Sequence, residues 1–139
     1  MTVPDKTGEY ASPKKALHGA RRRVLRVGIM PEQQYRERVL KIAKGEHTPE
    51  ADEPKVLFAS LQTLAQVLNQ KNIELLKIIV ERKPGSVVEL AEYSGRQQSN
   101  LSRTLNTLAN YQLIDLQKVG RRVRPVARYD EIDACISLS

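Results

Sequence analysis

Residues 86–128 constrain the fold most: two short helical patterns broken by a glycine, then a basic alternating segment with a second glycine near its middle. Ser86-Val87-Val88-Glu89 has the form of a capping box, in which the serine hydroxyl and the glutamate carboxylate each satisfy an exposed backbone N–H at a helix start. The helix it opens is short. Val87, Leu90 and Ala91 face inward, and Ser94-Gly95 ends it, because glycine tolerates the left-handed backbone of a sharp turn. A second helix is expected from about Gln97 to Tyr111, with Leu101, Leu105 and Leu108 on one face. At about 100° per residue, Ser99, Ser102, Arg103, Asn106 and Asn110 fall on the opposite face, which carries no acid.

Leu113 to Lys118 alternates as a strand, Val119-Gly120-Arg121 reads as a turn, and Arg122 to Arg128 as the returning strand. Two short helices joined by a glycine turn and followed by a basic hairpin are the sequence form of a winged helix-turn-helix. The expected class is therefore mainly α with a small β content (α+β). A helix is narrow enough to enter the major groove of duplex DNA, where base edges differ in donor and acceptor pattern. The candidate base readers are Arg96, Gln97, Gln98, Ser99, Asn100, Ser102, Arg103 and Asn106. Arginine suits guanine O6 and N7, the amides suit adenine, and the two serines can contact phosphate instead. The wing supplies charge: Lys118, Arg121, Arg122, Arg124 and Arg128 lie in a stretch with no Asp or Glu, and Ser86 at a helix start can face a phosphate. The plainer alternatives are a solvated helix face and arginines that guard an exposed edge strand.

The rest of the chain divides around this unit. Residues 1–20 are rich in Pro, Gly, Lys and Ser without periodicity and are expected to form a flexible basic tail. Residues 21–69 read as a strand-helix-strand-helix extension: a basic edge strand over Arg21 to Ile29, a helix opened by Pro31 and stopped by Gly45, an acidic linker from His47 to Pro54, a short extended Val56 to Phe58, and a helix beginning at Ser60. Tyr35, Val39, Leu40, Ile42 and Ala43 share roughly one face of the first helix, and Leu61, Leu64, Ala65 and Leu68 one face of the second. The winged unit itself is assigned to residues 70–129, its leading helix capped by Asn69 or Asn72 with Ile73, Leu76, Ile79 and Val80 inward until Pro84 and Gly85. Residues 130–139, with alternating Ile132, Ala134, Ile136 and Leu138, are expected to add a strand on the extension. The extension is surplus to a minimal winged helix, so its apolar faces are expected to form a homodimer interface. Arg21, Arg22, Arg23 and Arg26 are open between a DNA-contacting arm, a solvated edge and a partner-binding strand.

Composition narrows the partner. A formal net charge of +7 suits a polyanion, and one Phe with no Trp argues against the stacking platforms of single-strand and RNA-sheet binders, leaving duplex DNA. No apolar run approaches the roughly 20 residues that span a bilayer, so no membrane partner and a cytoplasmic location are expected. Cys135 is the only cysteine, and His18 and His47 share no ligand spacing with it, so neither metal nor cofactor is expected. No serine stands in a nucleophile pattern, and the acid pairs Asp52-Glu53 and Asp130-Glu131 diverge in direction, so the chain is not expected to be an enzyme.

The motif LAEYSGRQQSNLSRTLNTL, with EPKVLFASLQTLAQVL and NIELLKIIVERKPGSV upstream and RPVARYDEID downstream, resembles MarR-type winged-helix regulators over about residues 24–138. Among these it resembles in particular a group of small predicted transcriptional regulators often described as antitoxins because they are encoded beside toxin genes. Leu90, Ala91, Gly95, Ser99, Asn100, Ser102 and Leu105 carry the motif. The family usually has a glycine shortly before the wing strand, where this chain reads Tyr111-Gln112-Leu113. The resemblance implies dimeric binding to an operator, autoregulation or local repression. Its alternative is an antitoxin that neutralises a cognate toxin, with DNA binding secondary.

Overall fold

The computed structural model describes residues 23–48, 53–136 and 138. The expected basic tail, Arg21, Arg22 and the centre of the acidic linker lie outside the described residues. Among the described residues the order is β1 (Val24–Ile29), α1 (Glu32–Ala43), β2 (Val56–Phe58), α2 (Leu61–Val67), α3 (Gln70–Arg82), α4 (Val87–Ser94), α5 (Gln98–Asn110), β3 (Ile114–Val119), β4 (Arg122–Ala127) and β5 (Glu131–Cys135). The architecture is α+β. β2, β1 and β5 form a parallel sheet in that order, and β3 and β4 form a separate antiparallel hairpin.

Side-chain caps set several helix starts. Ser60 Oγ accepts from the Thr63 N–H at 3.1 Å, Asn69 Oδ1 from the Asn72 N–H at 2.9 Å, and Ser86 Oγ from the Glu89 N–H at 3.1 Å. Each bond satisfies one of the orphan amides of a first turn. The reciprocal half of the expected capping box is replaced: the Glu89 carboxylate accepts from the Tyr93 hydroxyl at 2.7 Å, one helical turn on. That bond raises the Tyr93 pKa above its usual value of 10.0, because the neutral phenol donates to a carboxylate.

α4 stops at Gly95, whose φ of 71° is left-handed. A Cβ there would meet nothing within 4 Å, so backbone conformation rather than crowding calls for glycine. Two other left-handed positions lack glycine: Lys83 closes α3 with φ 47°, and Gln112, where the resembled family usually has its glycine, has φ 63°. The turn at Gln112 ends α5 at Asn110 rather than at the expected Tyr111.

One core joins both halves. Leu90, Leu101, Leu105 and Leu108 pack with Leu75 and Ile79 of α3, Leu113 and Ile114 at the hairpin base, and Leu25, Val27, Val56 and Phe58 of the parallel sheet. Each such side chain stabilises the fold by about 1.5–3 kcal/mol when fully buried. Phe58 stacks on Tyr111 with ring centroids 4.7 Å apart, tying β2 to the end of α5.

Four expectations are corrected. β1 is the central strand of its sheet, not an edge, because β5 pairs with it in parallel from Val24↔Glu131 to Gly28↔Cys135. The buried stripe of α3 is Asn72, Leu75 and Ile79, while Ile73, Leu76 and Val80 are half-buried. In α2 only Val67 is buried, and Leu61 and Ala65 are exposed. The added strand ends at Cys135, and Ile136 and Leu138 lie beyond it and are exposed.

Candidate functional site

α5 divides cleanly. Leu101, Leu105 and Leu108 are 0–1% exposed, and Ser99, Ser102, Arg103 and Asn106 stand exposed on the other side. That outer face has no acidic side chain, and the helix has no acid in its first turn. Gln97 occupies the N-cap without a side-chain cap bond, so the first amides of α5 are left for another acceptor. Gln97 and Gln98 are both exposed beside them. α5 is held in place by α4 on one side and β3 on the other, and β4 packs against α3 and α4.

Arg96 departs from the expected pattern. It is half-buried in the turn between α4 and α5, and its guanidinium faces the protein. Nη1 donates to Asn72 Oδ1 at 3.4 Å, and Nη2 donates to Thr104 Oγ1 at 2.9 Å and to Asn100 Oδ1 at 3.3 Å. Asn72, itself buried, passes the connection on by donating from Nδ2 to the Val67 carbonyl at 2.9 Å. Arg96 therefore ties α5 to the α2–α3 junction, and only its neighbours face solvent fully. No local signal marks this, because the first partner lies 24 residues earlier in the chain.

The β3–β4 hairpin carries its cations at the tip. Val119 pairs with Arg122, leaving Gly120, at φ 63°, and Arg121 as a two-residue turn. Lys118, Arg121 and Arg122 are exposed and make no ion pair among the described residues. Arg124 Nη2 donates across the ladder to Gln117 Oε1 at 2.6 Å, which fixes its direction. Arg128 sits lower, with Nε 3.8 Å from Asp115 Oδ2 and its guanidinium 5.7 Å from the Tyr129 ring, so part of its charge is offset locally. Ser86 is 6% exposed and committed to capping α4.

The arginines of the β1 region are built into the sheet. The Arg23 N–H and guanidinium both donate to Asp130, at 3.0 and 3.3 Å, and the Arg23 carbonyl accepts from the Asp130 N–H at 2.7 Å. Arg26 is half-buried in the central strand. Arg23 is tied to the start of β5, and Arg26 lies within the strand itself, so neither extends from the sheet as an arm.

Two further surfaces lie away from α5 and the hairpin. α1 buries none of its residues; Tyr35, Val39 and Leu40 are 47%, 44% and 57% exposed. Its tether is ionic, Arg38 to Glu53, with His47 Nε2 3.2 Å from Glu53 Oε1. An apolar groove of about 760 Å³ runs between α2, α3 and β5, lined by Leu64, Leu68, Leu76, Val80 and Ile132. No helix of the described residues is long and apolar enough to cross a membrane.

No curated protein matches the chain. A family model described as HVO_A0114 matches residues 67–134, which run from the end of α2 through α3, α4, α5 and the hairpin into β5.

Proposed function

We propose that the chain is a sequence-specific regulator of transcription that binds duplex DNA through a winged helix-turn-helix, with α4 and α5 as the helix pair and β3–β4 as the wing. The observation that carries the reading is the outer face of α5: Ser99, Ser102, Arg103 and Asn106 are exposed without an acid among them, and a hairpin tipped by Lys118, Arg121 and Arg122 follows directly. Donors and acceptors on a helix of this width suit base edges in the major groove. Cations on the hairpin suit phosphate or a narrow minor groove.

Uncovered apolar residues on α1, with Leu61 at 55% exposure on α2, support a homodimer formed through residues 21–69. Two-fold symmetry would set two α5 helices in successive major grooves, about 34–36 Å apart. Repression of a nearby promoter is then the expected role.

The same uncovered α1 face supports a second reading, in which the chain occupies a partner protein such as a toxin and DNA binding is secondary. A mobility-shift assay with the DNA upstream of the coding sequence separates the two. A specific shift at low salt is expected, and its absence would favour the protein-binding role. Val39→Glu should convert a dimer to a monomer in light scattering while leaving the circular dichroism unchanged. An unchanged mass would remove α1 from the interface.

A further inference from the structure

A guanidinium has donors only, so every side-chain oxygen it touches is turned toward it. For buried Asn72 this uses both ends of the amide, Oδ1 toward Arg96 and Nδ2 toward the Val67 carbonyl. Asn100 differs. It is exposed in the first turn of α5, its Oδ1 accepts from Arg96 Nη2 at 3.3 Å, and the same nitrogen is anchored one turn further on by Thr104 Oγ1 at 2.9 Å. The end of the Asn100 amide that Arg96 does not engage is its NH2 group.

We infer that Arg96 sets base specificity from behind α5: by holding Asn100 Oδ1 it makes Asn100 a donor-only contact. Such a contact seeks acceptors on a base edge, of which guanine offers two, O6 and N7, whereas thymine O4 and adenine N7 offer one each. It cannot make the two-bond adenine pairing, which requires the amide oxygen to accept from N6, and it cannot accept from cytosine N4. The inference rests on the proposed entry of α5 into the major groove. Arg96 is thus a positioning residue, and Asn100 the one that touches DNA.

Selection from random duplex DNA with the full chain, Asn100→Ala and Arg96→Met tests it. Asn100 is exposed, so its truncation leaves the core intact. At one position of the selected site the wild type should favour guanine over the other three bases. Asn100→Ala should lose that preference by about five- to tenfold in relative affinity. Arg96→Met frees the amide and should admit adenine at the same position, an outcome a merely structural role would not produce. If Arg96→Met loses its cooperative melt, Arg96→Lys, which keeps one donor but not the fork, replaces it and should admit adenine in part. The inference is overturned if the relaxed position is adenine, thymine or cytosine in the wild type, if Asn100→Ala weakens all sequences equally as a phosphate contact would, or if the Arg96 variant selects the wild-type site. A wild type that enriches no sequence overturns the DNA-binding reading itself, and this inference with it.

Discussion

α1 and α5 are amphipathic helices of nearly equal length, 12 and 13 residues, with opposite fates. α5 buries three leucines to 1% exposure or less and turns a polar face outward, whereas α1 buries nothing and leaves Tyr35, Val39, Leu40 and Ile42 uncovered. Helices this short are marginal in water and draw their stability from packing. The contrast separates two kinds of exposed surface. α5 has completed its packing within the chain, so its outer residues are available to a ligand at no cost to the fold. α1 has not, and its uncovered apolar stripe is the surface proposed for the homodimer.

The sharpest way to break that contrast is to cut one side chain from each helix. Leu105→Ala should cost about 2–5 kcal/mol in urea unfolding, since it leaves a cavity at a fully packed site. Val39→Ala, on a half-exposed position, should change the stability of the isolated chain by less than about 0.5 kcal/mol. Comparable losses would mean that α1 packs as tightly as α5.

The next largest effects concern the proposed division between reader and anchor. Arg103→Ala or Asn106→Ala should weaken binding to the selected operator by about 1–3 kcal/mol in anisotropy titrations and relax its sequence preference. Arg121→Ala, at the hairpin tip, should weaken every duplex alike and make the dependence of log K on log salt shallower by about one unit. The reverse assignment would exchange the roles of helix and hairpin.

Legibility in the sequence followed the range of the interactions. Ser86, Gly95, the Leu101-Leu105-Leu108 stripe and Gly120 announce α4, the turn, α5 and the hairpin, because caps, left-handed residues and helical spacing act over a few residues. β1 was misread as an edge because its second neighbour, β5, lies over a hundred residues away, and alternation in one strand carries no record of who pairs with it. Arg96 looked like a reader for the same reason: nothing near it marks Asn72 as a partner. The α3 stripe shifted by one position because buried Asn72 takes a place on the inner face that an apolar pattern assigns to its neighbours. The polar outer face of α5 was readable as a surface, but its role follows from chemistry that spacing alone does not name.

The smallest expected effect sharpens the account of how α5 ends. Gln112 holds a left-handed backbone, φ 63°, that costs a side chain with a Cβ about 1 kcal/mol or more relative to glycine. Gln112→Gly should therefore raise stability by about 0.5–1 kcal/mol in thermal or denaturant melts, after the added freedom of the unfolded chain is offset. A loss of stability would point to contacts of the Gln112 side chain that outweigh its backbone strain.

The most direct test of the central claim is the salt dependence of binding to two duplexes, one carrying the upstream DNA and one with its sequence scrambled. If α5 reads bases while the hairpin supplies charge, affinity for both falls steeply with salt, in proportion to the phosphates contacted, and the upstream duplex keeps an advantage of at least about a thousandfold at physiological salt. Equal affinity for the two duplexes across the salt series would contradict sequence reading by α5, and no binding to either at low salt would contradict DNA recognition altogether.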